Sequence, residues 1–339
     1  MQIIRSTDLR GFNTFGINAH ADGMIILEEN TDYQELFRRH LLGQEPHFVL
    51  GQGSNVLFID DYPGTIIHPT NHSIQLVEDR GDSVVVAVGA GHSMNDFVWY
   101  CIEQGWHGLE NLVAIPGTVG ASAVQNVGAY GTEAKDCILR VSAYDLTTGQ
   151  ERLFESAECA FGYRQSVFKQ QLQGRYLISH VYYLLQRHYT PVLEYKALAQ
   201  ALAAESLTHP TAHQVATVVA DMRRAKLPDP AEIGSAGSFF KNPVVTASQY
   251  YDLLDRFPNL VAFPLDDGRF KLAAGWLIEH VGWKGRSIGR VAVYPKQALV
   301  LVNQGGCTGR EVVTLANAII ADVEDKYGVT LEPEVIYVQ

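Results

Sequence analysis

Two uncharged, glycine-rich segments are the first places in this 339-residue chain where residue type and spacing could do chemistry. Gly51, Gln52, Gly53, Ser54 and Asn55 follow the apolar run Phe48-Val49-Leu50. Small residues with free backbone N–H groups at such a point can cradle a phosphate. The loop is not a GxGxxG dinucleotide fingerprint, because Val56 stands where the third glycine belongs, and no Gly-Lys-Ser/Thr makes it a Walker loop. The second segment runs from Asn111 to Gly131 with one proline and no charge, and Pro116, Gly117, Gly120, Ser122, Asn126 and Gly128 offer further backbone donors and small side chains. Something must approach such a backbone closely. Two loops of this kind suit a pyrophosphate held from both sides without a lysine; tight turns in a large sheet are the plain alternative. Basic residues gather twice, at Arg223, Arg224 and Lys226 and again at Lys284, Arg286 and Arg290, where they suit a diphosphate or simply complement helix C-termini.

The elements that must position these loops follow from pattern. Short β-branched runs at 47–58, 64–69 and 83–91, separated by glycine turns, read as strands. A helix capped by Asn95 and stopped at Gly105 follows them, then strands at LRVSAYDL and RYLISHVYYLL. Thr211 with Gln214 forms a capping box ahead of Val215, Val218, Val219 and Met222 at helical spacing, and the two prolines of Lys226-Leu227-Pro228-Asp229-Pro230 end that helix at a natural domain boundary. Helical patterns recur at 271–282 and 310–328, and 331–339 reads as a terminal strand. Length argues for two or three packed units. A net charge of −11 argues against a nucleic-acid partner, and no run of apolar residues reaches membrane-spanning length, so a cytoplasmic protein is expected. Cys101, Cys137, Cys159 and Cys307 are scattered without a ligand cluster, so neither a disulfide framework nor a metal is expected.

In chain order, GQGSNVLF, IPGTVGAS with QNVGAYG, GYRQSVFK, KLPDP, GSFFKNP and LEPEV resemble the UDP-N-acetylenolpyruvoylglucosamine reductase (MurB) family over Thr14 to Val335. The insert around Tyr195 is similar to the longer, type I branch, although Phe263-Pro264 stands where type I members often carry a tyrosine before the proline, which would lose a hydroxyl over the site. The resemblance implies an α+β fold. Residues 1–228 would form an FAD-binding module of the vanillyl-alcohol oxidase type in two subdomains, roughly 1–70 and 71–228; 229–328 a substrate-binding domain; and 329–339 a strand returning to the FAD module.

The activity so implied is reduction by NADPH, through FAD, of the enolpyruvyl group of UDP-N-acetylglucosamine enolpyruvate to UDP-N-acetylmuramate, by a monomer without a membrane or nucleic-acid partner. Hydride addition to the vinyl terminus leaves carbanion character beside the carboxylate, so the site needs a cation and an acid. The family pattern assigns the cation to Arg164, the proton donor to Ser238 and a supporting carboxyl to Glu334. It assigns substrate contacts to Tyr163, Tyr195, Lys226, Asn242, Lys284 and Gln297, and a flavin-side position to Arg223. Gly51, Gly53, Ser54, Asn55, Pro116, Gly117, Gly120, Ser122, Asn126 and Gly128 would line the cofactor.

Overall fold

The computed structural model describes residues 1–43 and 45–339, which condense into two compact units. The first comprises Met1–Thr7, Ala21–Gln52 and Pro63–Ala225; the second comprises Asp8–His20, Gly53–Tyr62 and Lys226–Gln339. The boundary expected at 228 describes chain order only, because residues 8–20 and 53–62 pack with the C-terminal part. Thr14 Oγ1 donates to the Ser235 carbonyl at 2.6 Å and Asn303 Nδ2 to the Phe15 carbonyl at 3.0 Å. Contacts between residues more than 200 positions apart have no local sequence signal.

Up to residue 138 the chain forms β1 (Gln2–Asp8), β2 (His20–Leu27), α1 (Asn30–Arg38), β3 (His47–Val49), β4 (Val56–Phe58), β5 (Tyr62–Pro69), β6 (Ile74–Asp79), β7 (Ser83–Gly89), α2 (Met94–Glu103), α3 (Val119–Gln125), β8 (Gly128–Ala129) and β9 (Thr132–Glu133). β10 (Ile138–Asp145), β11 (Glu151–Glu155), β12 (Tyr176–Gln186), α4 (Lys196–Ala204) and α5 (Ala212–Lys226) follow. In the first unit β1-β2-β5-β3 make one sheet and β11-β10-β12-β7-β6 a second, fully antiparallel one. Val84, Val86 and Val88 of β7, Val141 and Ala143 of β10, and Val181, Tyr183 and Leu185 of β12 bury one face of the second sheet. Phe97 and Val98 of α2, Val119 and Ala123 of α3, and Val215 and Val219 of α5 close that core. The period of two in the strands meets the period of 3.6 in the helices here.

Two local expectations shift. The cap of α2 is Ser93, whose Oγ accepts from Asp96 N at 3.3 Å, while Asn95 Oδ1 accepts from Ala114 N at 2.8 Å and ties down the following loop. The uncharged segment is not all loop, since it holds α3, capped by Thr118 and ended by Asn126 in the left-handed region. The Thr211–Gln214 capping box is formed as expected, with bonds of 2.8 and 3.3 Å. All four cysteines are buried and unpaired, and burial pushes the thiols of Cys137, Cys159 and Cys307 up to about 12.

Asp145 ends β10 and carries a testable part of the stability. It is 5 % exposed, which by itself would raise its pKa. The backbone N–H groups of Thr147 and Thr148 and the two-point contact of Arg175, at 3.0 and 2.9 Å, outweigh burial and hold the carboxyl below its ordinary value. A depressed carboxyl stabilises the fold above the unfolded-state pKa of about 4 and loses that contribution as pH falls through its lower folded value. Asp145→Asn is expected to lower stability at neutral pH by about 1–2 kcal/mol and to flatten the acid limb below about pH 4, as read from urea midpoints across pH.

The second unit adds β13 (Ser235–Ser238), β14 (Val244–Val245), α6 (Ala247–Arg256), β15 (Ala262–Pro264), β16 (Phe270–Leu272), α7 (Ala274–His280), β17 (Ser287–Ile288), β18 (Val291–Val293), β19 (Val300–Asn303), α8 (Gly309–Tyr327) and β20 (Ile336–Val338). The strands form β13-β19-β18-β17, the small sheet β14-β16-β15, and the parallel pair β20-β4. α8 starts directly against β4: a Cβ on Gly309 would lie 2.0 Å from the Phe58 carbonyl oxygen, so only glycine fits. Arg310 locks the same junction with a two-point contact to Asp60 at 2.8 and 2.6 Å. Among the described residues no helix is long and apolar enough to cross a membrane.

Candidate active site

Within the first unit the two glycine segments meet. Gln52 Oε1 accepts from Gly117 N at 2.9 Å, and a Cβ on Gly51 would lie 2.8 Å from Thr118 Oγ1. Glycine at 120 serves helix packing, since a Cβ there would lie 2.8 Å from that of Ala90. The first N–H groups of α3 go to the protein: Val119 to the His92 carbonyl, Gly120 to that of Ala90, and Ala121 to Thr118 Oγ1. Ser122 is 2 % exposed with its hydroxyl bonded to the Val119 carbonyl and Tyr183, and Asn126 is wholly buried. Donors remain elsewhere. Within this unit the backbone N–H groups of Gly51 and Gln52 meet no acceptor among the described residues.

Arg223, near the end of α5, is the second feature that asks for an anion. It is half-buried, its Nε donates to the Ala114 carbonyl at 3.0 Å, and no carboxylate pairs with it among the described residues. Burial pulls its pKa down from the ordinary arginine value and the like charge of Arg164 adds to the pull, yet a guanidinium stays charged. Unmet amides and an unneutralised, half-buried cation are what a dinucleotide pyrophosphate would satisfy, so the residues present fit FAD.

Tyr163 and Arg164 stand at the tip of a tight turn closed by reciprocal bonds between Gly162 and Gln165, at 3.0 and 3.1 Å. Arg164 has φ +55°, at the turn position that ordinarily takes glycine, and a side chain held there costs about 1–3 kcal/mol. Its guanidinium lies 5.3 Å from the Tyr163 ring centroid and Nη2 donates to the Gly128 carbonyl at 2.8 Å. Ala114, Asn126 and Tyr130 are also left-handed, so local strain concentrates around this group. Tyr195 is 43 % exposed and packs edge-on to Tyr130 at 5.2 Å. Asn111, which sequence reasoning passed over, ties the two together by donating to the carbonyls of Tyr130 and Val192, at 2.8 and 2.9 Å. Its only signal was its place inside the uncharged segment.

Within the second unit Ser238 and Glu334 are brought onto neighbouring segments. Glu334 N donates to the Phe239 carbonyl at 2.8 Å, Phe240 bridges Pro333, and Asn55 Nδ2 donates to the Glu334 carbonyl at 3.2 Å. The β13–β19 pairing slips between Ser235 and Ser238, a bulge that includes Gly237 at φ +67° and leaves Ser238 exposed. Bulges re-aim side chains in this way. Three expected substrate contacts share α7 as their support. Asn242 Oδ1 accepts from Ala274 N at 2.9 Å, Gln297 Oε1 lies 3.2 Å from where a Cβ on Gly275 would sit, and Lys284 Nζ donates to Glu279 at 2.9 Å. Lys226 is exposed at the end of α5, and Phe263 is 46 % exposed on β15. A cavity of about 530 Å³ on the outer face of the five-stranded sheet, lined by Gln75, Arg140, Glu151, His180 and Tyr182, holds none of the expected site residues.

Residues 229–338 match the family model described as UDP-N-acetylenolpyruvoylglucosamine reductase, C-terminal domain, and residues 22–153 match that of an FAD binding domain. The chain is 46% identical over 338 residues to the UDP-N-acetylenolpyruvoylglucosamine reductase of Bordetella pertussis, covering 98% of this chain and 95% of that protein. The reductase of an Azoarcus species is 45% identical over 342 residues, with 100% and 98% covered. A solved structure of the Thermus caldophilus enzyme shares the fold, with a TM-score of 0.69 at 23% identity and both chains covered in full. Identity at this level over nearly the whole length leaves one conclusion: the chain belongs to the UDP-N-acetylenolpyruvoylglucosamine reductase family.

Proposed function

We propose that the chain reduces the enolpyruvyl group of UDP-N-acetylglucosamine enolpyruvate to give UDP-N-acetylmuramate, with FAD as cofactor and NADPH as reductant, as a step in peptidoglycan precursor synthesis. The observation that carries this is the 46% identity to a named reductase across 98% of the chain. Bound FAD would supply two-electron hydride chemistry, held by the amides of Gly51 and Gln52 with Arg223 near its phosphates. The chain's own groups do the rest. Arg164 meets the substrate carboxylate with its planar fork and offsets the charge that develops beside it. Ser238 gives its hydroxyl proton to the carbon next to the carboxylate, and Glu334 supports the same centre by hydrogen bonding. Tyr163, Tyr195, Lys226, Asn242, Lys284 and Gln297 hold the nucleotide sugar, the cations on its diphosphate. Phe263 covers the site by apolar contact without a hydroxyl. The protein is read as a cytoplasmic monomer of the type I branch.

The purified protein should be yellow. Anaerobic NADPH should bleach it, and the enolpyruvyl UDP-sugar, added after NADP is removed, should restore the colour. A folded protein with no affinity for FAD would end this reading.

A further inference from the structure

We propose that Asn126 is a positioning residue for Arg164, and that its amide sets the turn presenting the guanidinium instead of binding the cofactor. The inference rests on the reading of Arg164 as the group that meets the substrate carboxylate. Asn126 is 0 % exposed, so no ligand reaches its side chain. Both amide hydrogens are committed, one to the Gly162 carbonyl at 2.9 Å and one to Glu133 Oε2 at 3.1 Å, while Oδ1 accepts from Lys135 N at 3.0 Å. Gly162 is the root of the turn that carries Arg164 at its tip.

Two residues along the same loop, the Gly128 carbonyl takes the Arg164 guanidinium at 2.8 Å. A Cβ on Gly128 would lie 3.3 Å from Arg164 Nη1 and 2.9 Å from Glu133 Cγ, so this loop fits closely against the arginine. One short segment therefore holds both ends of Arg164: Asn126 fixes its backbone through Gly162, and Gly128 fixes its fork. Asparagine is the residue for the task. It tolerates the left-handed φ of +44° and brings two donors with one acceptor, which glycine lacks and aspartate reverses in part.

The test uses the flavin-loaded protein and separates the half-reactions. Asn126→Gly keeps the backbone conformation and removes the three bonds. Reoxidation by the enolpyruvyl UDP-sugar should slow by about tenfold to a hundredfold, because a small misplacement of a positioned group is enough for that loss. Reduction by NADPH and flavin affinity, read by fluorescence titration, should stay within about twofold of the parent. In an Arg164→Ala background the same change should add less than about twofold, since two residues acting through one group are not additive. Should Asn126→Gly fail to fold, Glu133→Ala, on a partly exposed carboxylate that anchors the same amide, should slow reoxidation alone by about threefold. Weakened flavin binding, equal slowing of both half-reactions by either variant, full reoxidation, or an unchanged loss in the Arg164→Ala background would each overturn the inference. A fast Arg164→Ala protein would remove the reading of Arg164 and this inference with it; a slow one beside an unaffected Asn126→Gly overturns the inference alone.

Discussion

Arg164→Ala is expected to slow reoxidation of the reduced protein by the enolpyruvyl substrate by about 10²–10³, and to leave reduction by NADPH within about twofold. The size follows from where charge develops. As the vinyl terminus gains hydride, electron density moves onto the carbon beside the carboxylate and into the carboxylate itself, and a preorganised guanidinium stabilises that state more than the ground state. The structure shows the preorganisation in the Gly128 carbonyl bond and the closed 162–165 turn. Arg164→Lys should recover only part of the rate, because an ammonium lacks the two-point fork. Arg164→Gly should be equally slow and yet more stable by about 1 kcal/mol, since glycine takes φ +55° without strain. Stopped-flow measurement of the two half-reactions, with a thermal melt of the glycine variant, checks both parts. Equal slowing of the two half-reactions would show that the arginine serves the flavin or the fold instead.

The second large effect concerns Ser238. Ser238→Ala should lower the reoxidation rate by about 10²–10⁴, the usual contribution of a positioned proton donor, with little change in flavin reduction. The bulge before Ser238 sets the residue beside the Glu334 segment, and its exposure leaves room for substrate. Ser238→Thr keeps the hydroxyl on a residue suited to a strand and should retain part of the rate. A weak acid serves only when held and reprotonated, so in heavy water the parent should slow measurably in reoxidation while the alanine variant, already limited otherwise, responds differently. A loss smaller than tenfold for the alanine variant would remove Ser238 from the acid's role and return proton donation to water.

The elements were largely legible in the chain. Periodicity marked β7, β10, β12, α5 and α8, and the capping pair at Thr211 and Gln214 located the start of α5 correctly. One signal misled locally. Asn95 has the composition of a helix cap, but Ser93, two residues earlier, reaches Asp96 N, and the asparagine is used by Ala114 instead. The glycines from 117 to 128 read as a ligand loop, and those at 117 and 120 also meet Gln52 and Ala90.

What the sequence determined alone is the family and the cofactor class, because six ordered motifs keep residue types whose chemistry does not depend on seeing the fold. Tertiary structure decided the backbone conformation, burial and hydrogen-bond partners of the residues in those motifs. The left-handed strain at Arg164, the complete enclosure of Asn126 and the packing of residues 8–20 with the C-terminal unit all arise from contacts between distant positions. Hydrophobic periodicity and local propensity carry no record of such contacts, since they report each segment's own backbone preference and not the partner that later satisfies it.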